Sequence, residues 1–273
     1  MLSNTGRQIT GSTKVVAILA DPIGHVRTPP AFNALMAQHD VDAVMVPFNV
    51  RPDHFAQFIA AVPLIRSLAG LVVTIPYKEI ILQHCTTLTE SAQRMGAVNI
   101  VRFDDQPDGA RSLIGSNFDG IGFVGGLLAQ GHVLKGRRVY LAGAGGAAKA
   151  IVHALADEGV AAIGIYNRSA VRAEHLVREL RQRYPRLDAH LADARPQGYT
   201  LAINSTSLGL QESDPLPFTP DGLPPGAVVA EVIMKTEITP LLAKAGACGF
   251  AVHPGRHMME VQIERMGQFL GLI

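Results

Sequence analysis

"VYLAGAGGAAKAIVHALADEG" (139–159) is the stretch that decides the fold. It opens on a short apolar run of strand type. Gly143, Gly145 and Ala148 then fill the slots of a G-x-G-x-x-G/A pattern, and an amphipathic run follows. In a strand–turn–helix unit each small residue has a physical task. Gly143 permits the sharp turn, Gly145 lets a pyrophosphate approach the backbone, and Ala148 lets helix and strand pack closely. The N–H groups at the helix start then face an anion. With Ala144, Gly146 and Ala147 completing the loop, the segment reads as a dinucleotide cradle. A turn that merely favours glycine is the plain alternative; the strand before and the helix after argue against it.

The next strand, "AAIGIYN" (161–167), names the dinucleotide. An NAD site usually offers Asp or Glu about 20 residues on, to hold the ribose 2′-hydroxyl. Here Asn167 and Arg168 occupy the place, with Ser169 and Arg172 beside them. No carboxylate competes. Arg168 can stack on adenine and fork onto a 2′-phosphate, so the expected cofactor is NADP. Ser169 also reads as the N-cap of the following helix.

Downstream, "AVRAEHLVRELRQRY" reads as a helix, "YTLAINST" and "AVVAEVIM" as strands, and "TPLLAKAGA" (239–247) and "HMMEVQIERMGQFL" (257–270) as closing helices. Upstream, strands are expected at 14–20, 43–50 and 68–75 and helices at 29–40 and 52–65. Pro47 places the second of those strands at an edge or a bulge. A helix over 88–96, with Thr89 as N-cap and Gly96 past its end, follows. The turn-rich "DDQPDG" between "AVNIVRF" and "ARSLIG" predicts a hairpin. "NFDGIGFVGGLLAQG" (117–131) reads as helical despite its glycines. Strand–helix alternation twice over gives the fold class: α/β, with largely parallel sheets and a restart near residue 136.

Bulk properties exclude several classes. With 24 Lys+Arg against 23 Asp+Glu, the net charge of +1 favours neither nucleic acid nor an anionic membrane. No run approaches the roughly 18 apolar residues of a membrane span. Cys85 and Cys248 lie far apart and share no metal-like spacing with histidine, so no zinc site is expected. The thiols and the polar start, "MLSNTGRQITGSTK", suit a cytoplasmic protein without a signal peptide, its first 13 residues a flexible tail. Monomer and homodimer both stay open, and the expected partner is a small molecule.

"VVTIPYKE" (72–79) runs as a β-branched strand, is stopped by Pro76 and delivers Lys78 two residues later. Alone, Lys78 reads as a surface residue, Asp119 as the N-cap of a helix and Asn99 as a polar residue beside a hairpin. His25 and His257 are compatible with acid–base work and equally with hydrogen bonds in their turns.

Taken together, "GHVRTPPAFN", "VVTIPYKE", "MGAVNIV", "GSNFDGIG", "LAGAGGAAKA", "YNRS", "INSTSLG" and "PGRHMMEVQ" resemble the shikimate/quinate dehydrogenase family in order and spacing over nearly the whole chain. The resemblance implies a split α/β catalytic domain, residues 1–116 with 240–273, and a Rossmann domain over 117–239. It implies NADP-dependent interconversion of 3-dehydroshikimate and shikimate, or oxidation of quinate. Lys78 then matches the catalytic lysine and Asp119 its aspartate partner. Asn99, Thr74, Gln262 and Thr28 match substrate-facing positions. Thr206 and Val232 join the cofactor set, with Gly255 and Met258 closing over the nicotinamide. A regulatory homologue that binds dinucleotide with little turnover is the reading from another class; retention of both Lys78 and Asp119 argues against it.

Several substrate-side positions depart from the family pattern. Val26 stands where a carboxylate-binding serine is usual, Val72 where an asparagine precedes the strand end, and Phe118 where a threonine precedes Asp119. Met234 replaces a carboxylate-binding tyrosine, and Glu231 an aspartate. Each lost charge-assisted bond removes about 1–3 kcal/mol. The cofactor and proton-transfer parts therefore look intact, while the substrate clamp looks rebuilt toward another cyclic polyol or a less carboxylate-dependent hydroxy compound.

Overall fold

The computed structural model describes residues 8–24, 26–211 and 213–273. His25 and the first seven residues lie outside the described residues. Of the expected tail, residues 10–13 close a turn in which the Thr10 N–H donates to Thr13 Oγ1 at 2.9 Å. The chain divides into two compact units, Met1–Phe118 with Ile263–Ile273, and Asp119–Gln262.

The first unit contains β1 (Lys14–Ala20), α1 (Thr28–Gln38), β2 (Ala43–Asn49), α2 (Phe55–Ala61), β3 (Leu68–Val73), β4 (Thr87–Leu88), α3 (Glu90–Met95), β5 (Ile100–Asp105) and β6 (Arg111–Ser116). Its sheet runs β2-β1-β3-β5-β6-β4. Central β1 is buried from Val16 to Ala20 on both faces, which is why it reads as an unbroken apolar run. β2 takes the edge that Pro47 requires. β1 and β3 are parallel, whereas β5 runs antiparallel to both β3 and β6. The carboxyl ends of β1, β3 and β6 therefore meet the start of β5 at one end of the sheet. β3 stops at Val73, two residues before the run of β-branched side chains ends. Thr74 N–H still donates to Leu19 carbonyl at 3.0 Å, but the Tyr77 N–H then turns back onto the Thr74 carbonyl at 2.9 Å. Tyr77 anchors that turn: it is fully buried, stacked on Phe55 at 4.7 Å, and its hydroxyl donates to the Val50 carbonyl.

The second unit contains α4 (Asp119–Ala129), β7 (Arg138–Ala142), α5 (Gly146–Asp157), β8 (Ala162–Tyr166), α6 (Ala170–Arg183), β9 (Asp188–Leu191), β10 (Leu201–Asn204), β11 (Val228–Glu231), α7 (Pro240–Ala247) and β12 (Ala251–His253); α8 (Arg256–Phe269) crosses the division between the units. Its six strands are all parallel, in the order β9-β8-β7-β10-β11-β12. This is the doubly wound order whose direction reverses between β7 and β10, the topological switch point where such sheets take ligands. The family resemblance assigns residues 240–262 to the first domain. Here β12 pairs with β11, and those residues belong to the second unit. A three-residue edge strand carries no period, so the sequence alone gives no sign of it.

The glycines of α4 have a packing reason. A Cβ at Gly120 would sit 2.2 Å from the Ala150 carbonyl oxygen, and one at Gly126 2.8 Å from the backbone of His257. Only glycine lets α4 approach α5 and the head of α8 this closely. The cost of about 1 kcal/mol per helical glycine is offset by that packing.

Beside α4, His253 is 1% exposed, and among the described residues its Nε2 has no hydrogen-bond partner. Its ring lies 4.9 Å from His257, 5.7 Å from His132 and 6.1 Å from Phe123. Burial, reinforced by His257 and His132, pushes its pKa down to about 3. The unfolded chain takes up this proton near pH 6.5, while the folded chain refuses it. The stabilisation is therefore complete above pH 6.5 and is lost as pH falls, by about 1.4 kcal/mol per unit until the folded value is reached. Urea unfolding at pH 7.5, 6.5 and 5.5 should show this slope. His253→Phe should flatten it by about one proton; an unchanged slope would assign the acid sensitivity elsewhere.

Candidate active site

In the first unit Val26, Thr28, Thr74, Lys78 and Asn99 gather at one end of the sheet. Val26 and Thr28 lie between β1 and the first turn of α1, both half-buried. Thr74, also half-buried, leaves β3. Lys78 follows the Tyr77 turn, half-buried, with its backbone carbonyl accepting from Val98 N–H at 2.8 Å. Asn99, 2% exposed, precedes β5: its backbone bonds both β3 and β6, and its Oδ1 accepts from the Phe118 N–H at 3.0 Å. Asn117 reinforces this corner by donating to the Ala97 carbonyl at 3.1 Å. Phe118 sits edge-on to Phe269 at 5.5 Å. Val72 is a buried interior residue of β3, paired with Ile100.

In the second unit the carboxyl ends of the strands carry the rest. Gly143 has φ +118°, and a Cβ there would meet Ser205 Oγ at 2.6 Å, so glycine is required between the β7 and β10 ends. Gly145 and Gly146 face open space, and the first turn of α5 has no side-chain cap. Its N–H groups thus remain available to an anion. Ala148 is fully buried, while Ala144 and Ala147 are half-buried at the loop. Beyond β8, Asn167 Nδ2 donates to the Ser169 carbonyl at 2.9 Å, shaping the turn. Ser169 occupies the N-cap position of α6, but among the described residues its side chain makes no capping bond. Arg168 and Arg172 project into solvent beside it. This donor set suits an adenosine 2′-phosphate: two exposed guanidinium groups and no carboxylate on the turn.

Beyond β10, Thr206 donates its hydroxyl to Asn204 Oδ1 at 2.7 Å. Val232 and Met234 follow β11 and pack on the edge of the hydrophobic core. Gly255 is held where a Cβ would come within 2.4 Å of the Ile233 carbonyl oxygen, so the turn before α8 lies tight against the 232–234 segment. Met258 is buried on α8, and His257 Nδ1 lies 3.0 Å from Glu260 Oε2. Asp119 heads α4, 4% exposed, and its Oδ1 accepts from Gln262 Nε2 at 2.7 Å. Glu231 is fully buried, and burial pushes its carboxyl up to about 7 against the pull of Thr239 and Asn204. The structural role of Asn204 is one that sequence reasoning misses; its place in "INST", at the end of an apolar strand, is the signal that could have found it.

The geometry thus places Val26, Thr28, Thr74, Lys78 and Asn99 at one sheet end of the first unit, whereas the expected substrate residues Met234 and Gln262 lie in the second. It collects the cofactor residues, with Asp119 and Gln262, in the second. Among the described residues no helix is long and apolar enough to cross a membrane.

Comparison with known proteins places these units. A profile for the shikimate dehydrogenase substrate-binding domain matches residues 18–101, and one for shikimate/quinate 5-dehydrogenase matches 127–206. The shikimate dehydrogenase (NADP(+)) of Rhodospirillum rubrum is 38% identical over 262 residues, covering 92% of this chain and 89% of that protein. A Thermus thermophilus shikimate 5-dehydrogenase solved with NADP(H) and shikimate is 28% identical, with a TM-score of 0.83 over 96% of this chain and 95% of its own. A Gluconobacter 5-ketofructose reductase, solved ligand-free, is also 28% identical, with a TM-score of 0.84 over 94% of this chain and 92% of its own. The chain belongs to the shikimate/quinate dehydrogenase family.

Proposed function

We propose that the protein is an NADP-dependent oxidoreductase that interconverts 3-dehydroshikimate and shikimate, or a closely related cyclic polyol, with Lys78 and Asp119 as the proton-handling pair. The observation that carries this reading is the open glycine cradle at the β7 end, followed at the β8 end by Arg168 and Arg172 without a carboxylate. The relatives that bind NADP support it.

Bound NADPH would supply the hydride for the carbonyl carbon. The remaining steps fall to the chain. The α5 N–H groups and Gly145 hold the pyrophosphate, and Asn167, Arg168, Ser169 and Arg172 take the 2′-phosphate end. Thr206, Val232, Gly255 and Met258 line the nicotinamide end. Thr74, Asn99 and Gln262 orient substrate hydroxyls. Lys78 stabilises charge growing on the carbonyl oxygen and gives it a proton, as ketone reduction requires. Asp119, its carboxyl direction set by Gln262, is the other member of the proposed pair.

A second reading within the family concerns the substrate. Val26 and Met234 put half-buried apolar side chains where the family uses a hydroxyl and a phenol for a carboxylate, and Phe118 replaces a threonine beside Asp119. Together with the likeness to a 5-ketofructose reductase, this favours a polyhydroxy ketone that lacks a carboxylate.

NADPH oxidation followed at 340 nm with 3-dehydroshikimate and 5-ketofructose, and NADP+ reduction with shikimate and quinate, separate the readings. Turnover of the carboxylate substrates with a low KM would support the first. A KM raised about tenfold or more for them, with good turnover of the neutral ketone, would support the second, as expected for one or two lost charge-assisted bonds. NADPH binding without any turnover would instead support a sensor.

A further inference from the structure

The loops that follow β10 and β11 are joined beneath the surface by a polar network of which the proposed chemistry uses only Thr206. Asn204, at the end of β10, is fully buried. Its Oδ1 accepts from the Thr206 N–H at 3.0 Å and the Thr206 hydroxyl at 2.7 Å. Its Nδ2 donates to the Leu208 carbonyl at 2.9 Å and reaches Glu231 Oε2 at 3.5 Å. Every hydrogen-bonding position of the amide is thus used, which fixes its orientation. Glu231 ends β11 opposite Asn204 in the parallel register and is 0% exposed. Its Oε2 also accepts from the Thr239 hydroxyl at 3.0 Å, and Thr239 Oγ1 caps α7 by accepting from Leu242 N–H at 3.3 Å. Among the described residues the second carboxyl oxygen, Oε1, is buried without a partner.

A buried carboxyl with one oxygen unserved is costly to keep. Asn204 has already committed its other three positions to the 205–209 loop, so Glu231 completes a truss whose free end is Thr206. We propose that Glu231 is a positioning residue for the nucleotide. Through Asn204 it holds the loop that carries Thr206, and through Thr239 it ties that loop to the head of α7, so that the nicotinamide end of NADPH meets a preformed wall. The inference rests on the dinucleotide reading of residues 143–172 and Thr206. A loop that must be ordered on binding loses affinity; a loop already held does not.

The test uses the full-length chain, with NADPH affinity measured by calorimetry beside kcat, KM and the thermal midpoint. Glu231→Leu removes both acceptors at similar size. It is expected to weaken NADPH about tenfold, the scale of one to two lost hydrogen bonds, while kcat at saturating NADPH changes less than the affinity does. Glu231→Gln retains an oxygen for Thr239 and Asn204, and is expected to restore most of the affinity. Asn204→Ala cuts the truss on its loop side and should weaken NADPH to the same extent, so the inference is decided even if Glu231→Leu does not fold. A lowered midpoint with unchanged NADPH affinity in Glu231→Leu or Asn204→Ala would overturn it, leaving Glu231 a core residue only. If the parent protein itself binds no NADPH, the dinucleotide reading fails instead.

Discussion

Lys78→Ala is expected to lower turnover about a thousandfold while leaving NADPH affinity within about twofold of the parent, since a positioned general acid contributes roughly 100- to 10,000-fold. The argument starts from the backbone. Lys78 is set by the Tyr77 turn and by the bond from Val98 N–H to its own carbonyl, neither of which involves its side chain. Truncation therefore leaves the loop in place. The stem is half-buried, and the stability change should stay near the few tenths of a kcal/mol typical of sites outside the core. The groups proposed for NADPH all lie in residues 119–262, so the cofactor has no cause to bind differently. What disappears is the ammonium that meets the developing alkoxide. Hydride arrival at carbon must then leave an oxyanion facing water or nothing, and the barrier rises accordingly. Lys78→Arg tests the same point from the other side. It keeps the charge but cannot give up a proton at ordinary pH, so it should recover little of the loss. Stopped-flow single turnover separates chemistry from release. A single-turnover rate in Lys78→Ala equal to the parent's would remove Lys78 from the mechanism.

The second unit was legible because its signals are local. Gly143, Gly145 and Ala148 each answer a feature now visible: Ser205 behind Gly143, open space before Gly145, the packed core around Ala148. Strands β7, β8, β10 and β11 are buried apolar runs separated by turns and helices. β9 and β12 escaped because they are four and three residues long at the sheet edges, too short for periodicity to register. The strand expected over 68–75 ends two residues early: β-branched side chains at Thr74 and Ile75 favour extension, but the Tyr77 turn overrules them. At the site, single residues were legible only as family matches, since Lys78 or Asn99 alone looks ordinary. The Asn204–Glu231–Thr239 network depends on which strand lies beside which, and one-dimensional spacing does not report that. The His132–His253–His257 group is hidden for the same reason.

Arg168→Ala is expected to weaken NADPH roughly 10- to 100-fold, the range for one or two charge-assisted bonds to a phosphate, and to leave NADH within about threefold. The discrimination follows from where the side chain stands. Asn167 folds the turn by donating to the Ser169 carbonyl, so the direction of the chain at 168 does not depend on the arginine. Arg168 is exposed and, among the described residues, is held by no carboxylate. Removing it therefore strands no buried partner, and the loss should be confined to ligands that carry the extra phosphate. Arg172, one turn into α6, should share the load, with Arg172→Ala showing a smaller loss of the same selectivity. Salt offers an independent check. Exposed charge pairs are screened over about 10 Å at 0.1 M salt, so NADPH affinity should fall with added salt more steeply than NADH affinity, and Arg168→Ala should remove most of that difference. Arg168→Asp goes further. It places an acceptor where an NAD site has one, and it repels the 2′-phosphate, so the preference should turn toward NADH. Calorimetric titration of both nucleotides decides the matter. Equal losses for NADPH and NADH in Arg168→Ala would mean that the arginine packs on adenine alone and that the 2′-phosphate is held elsewhere.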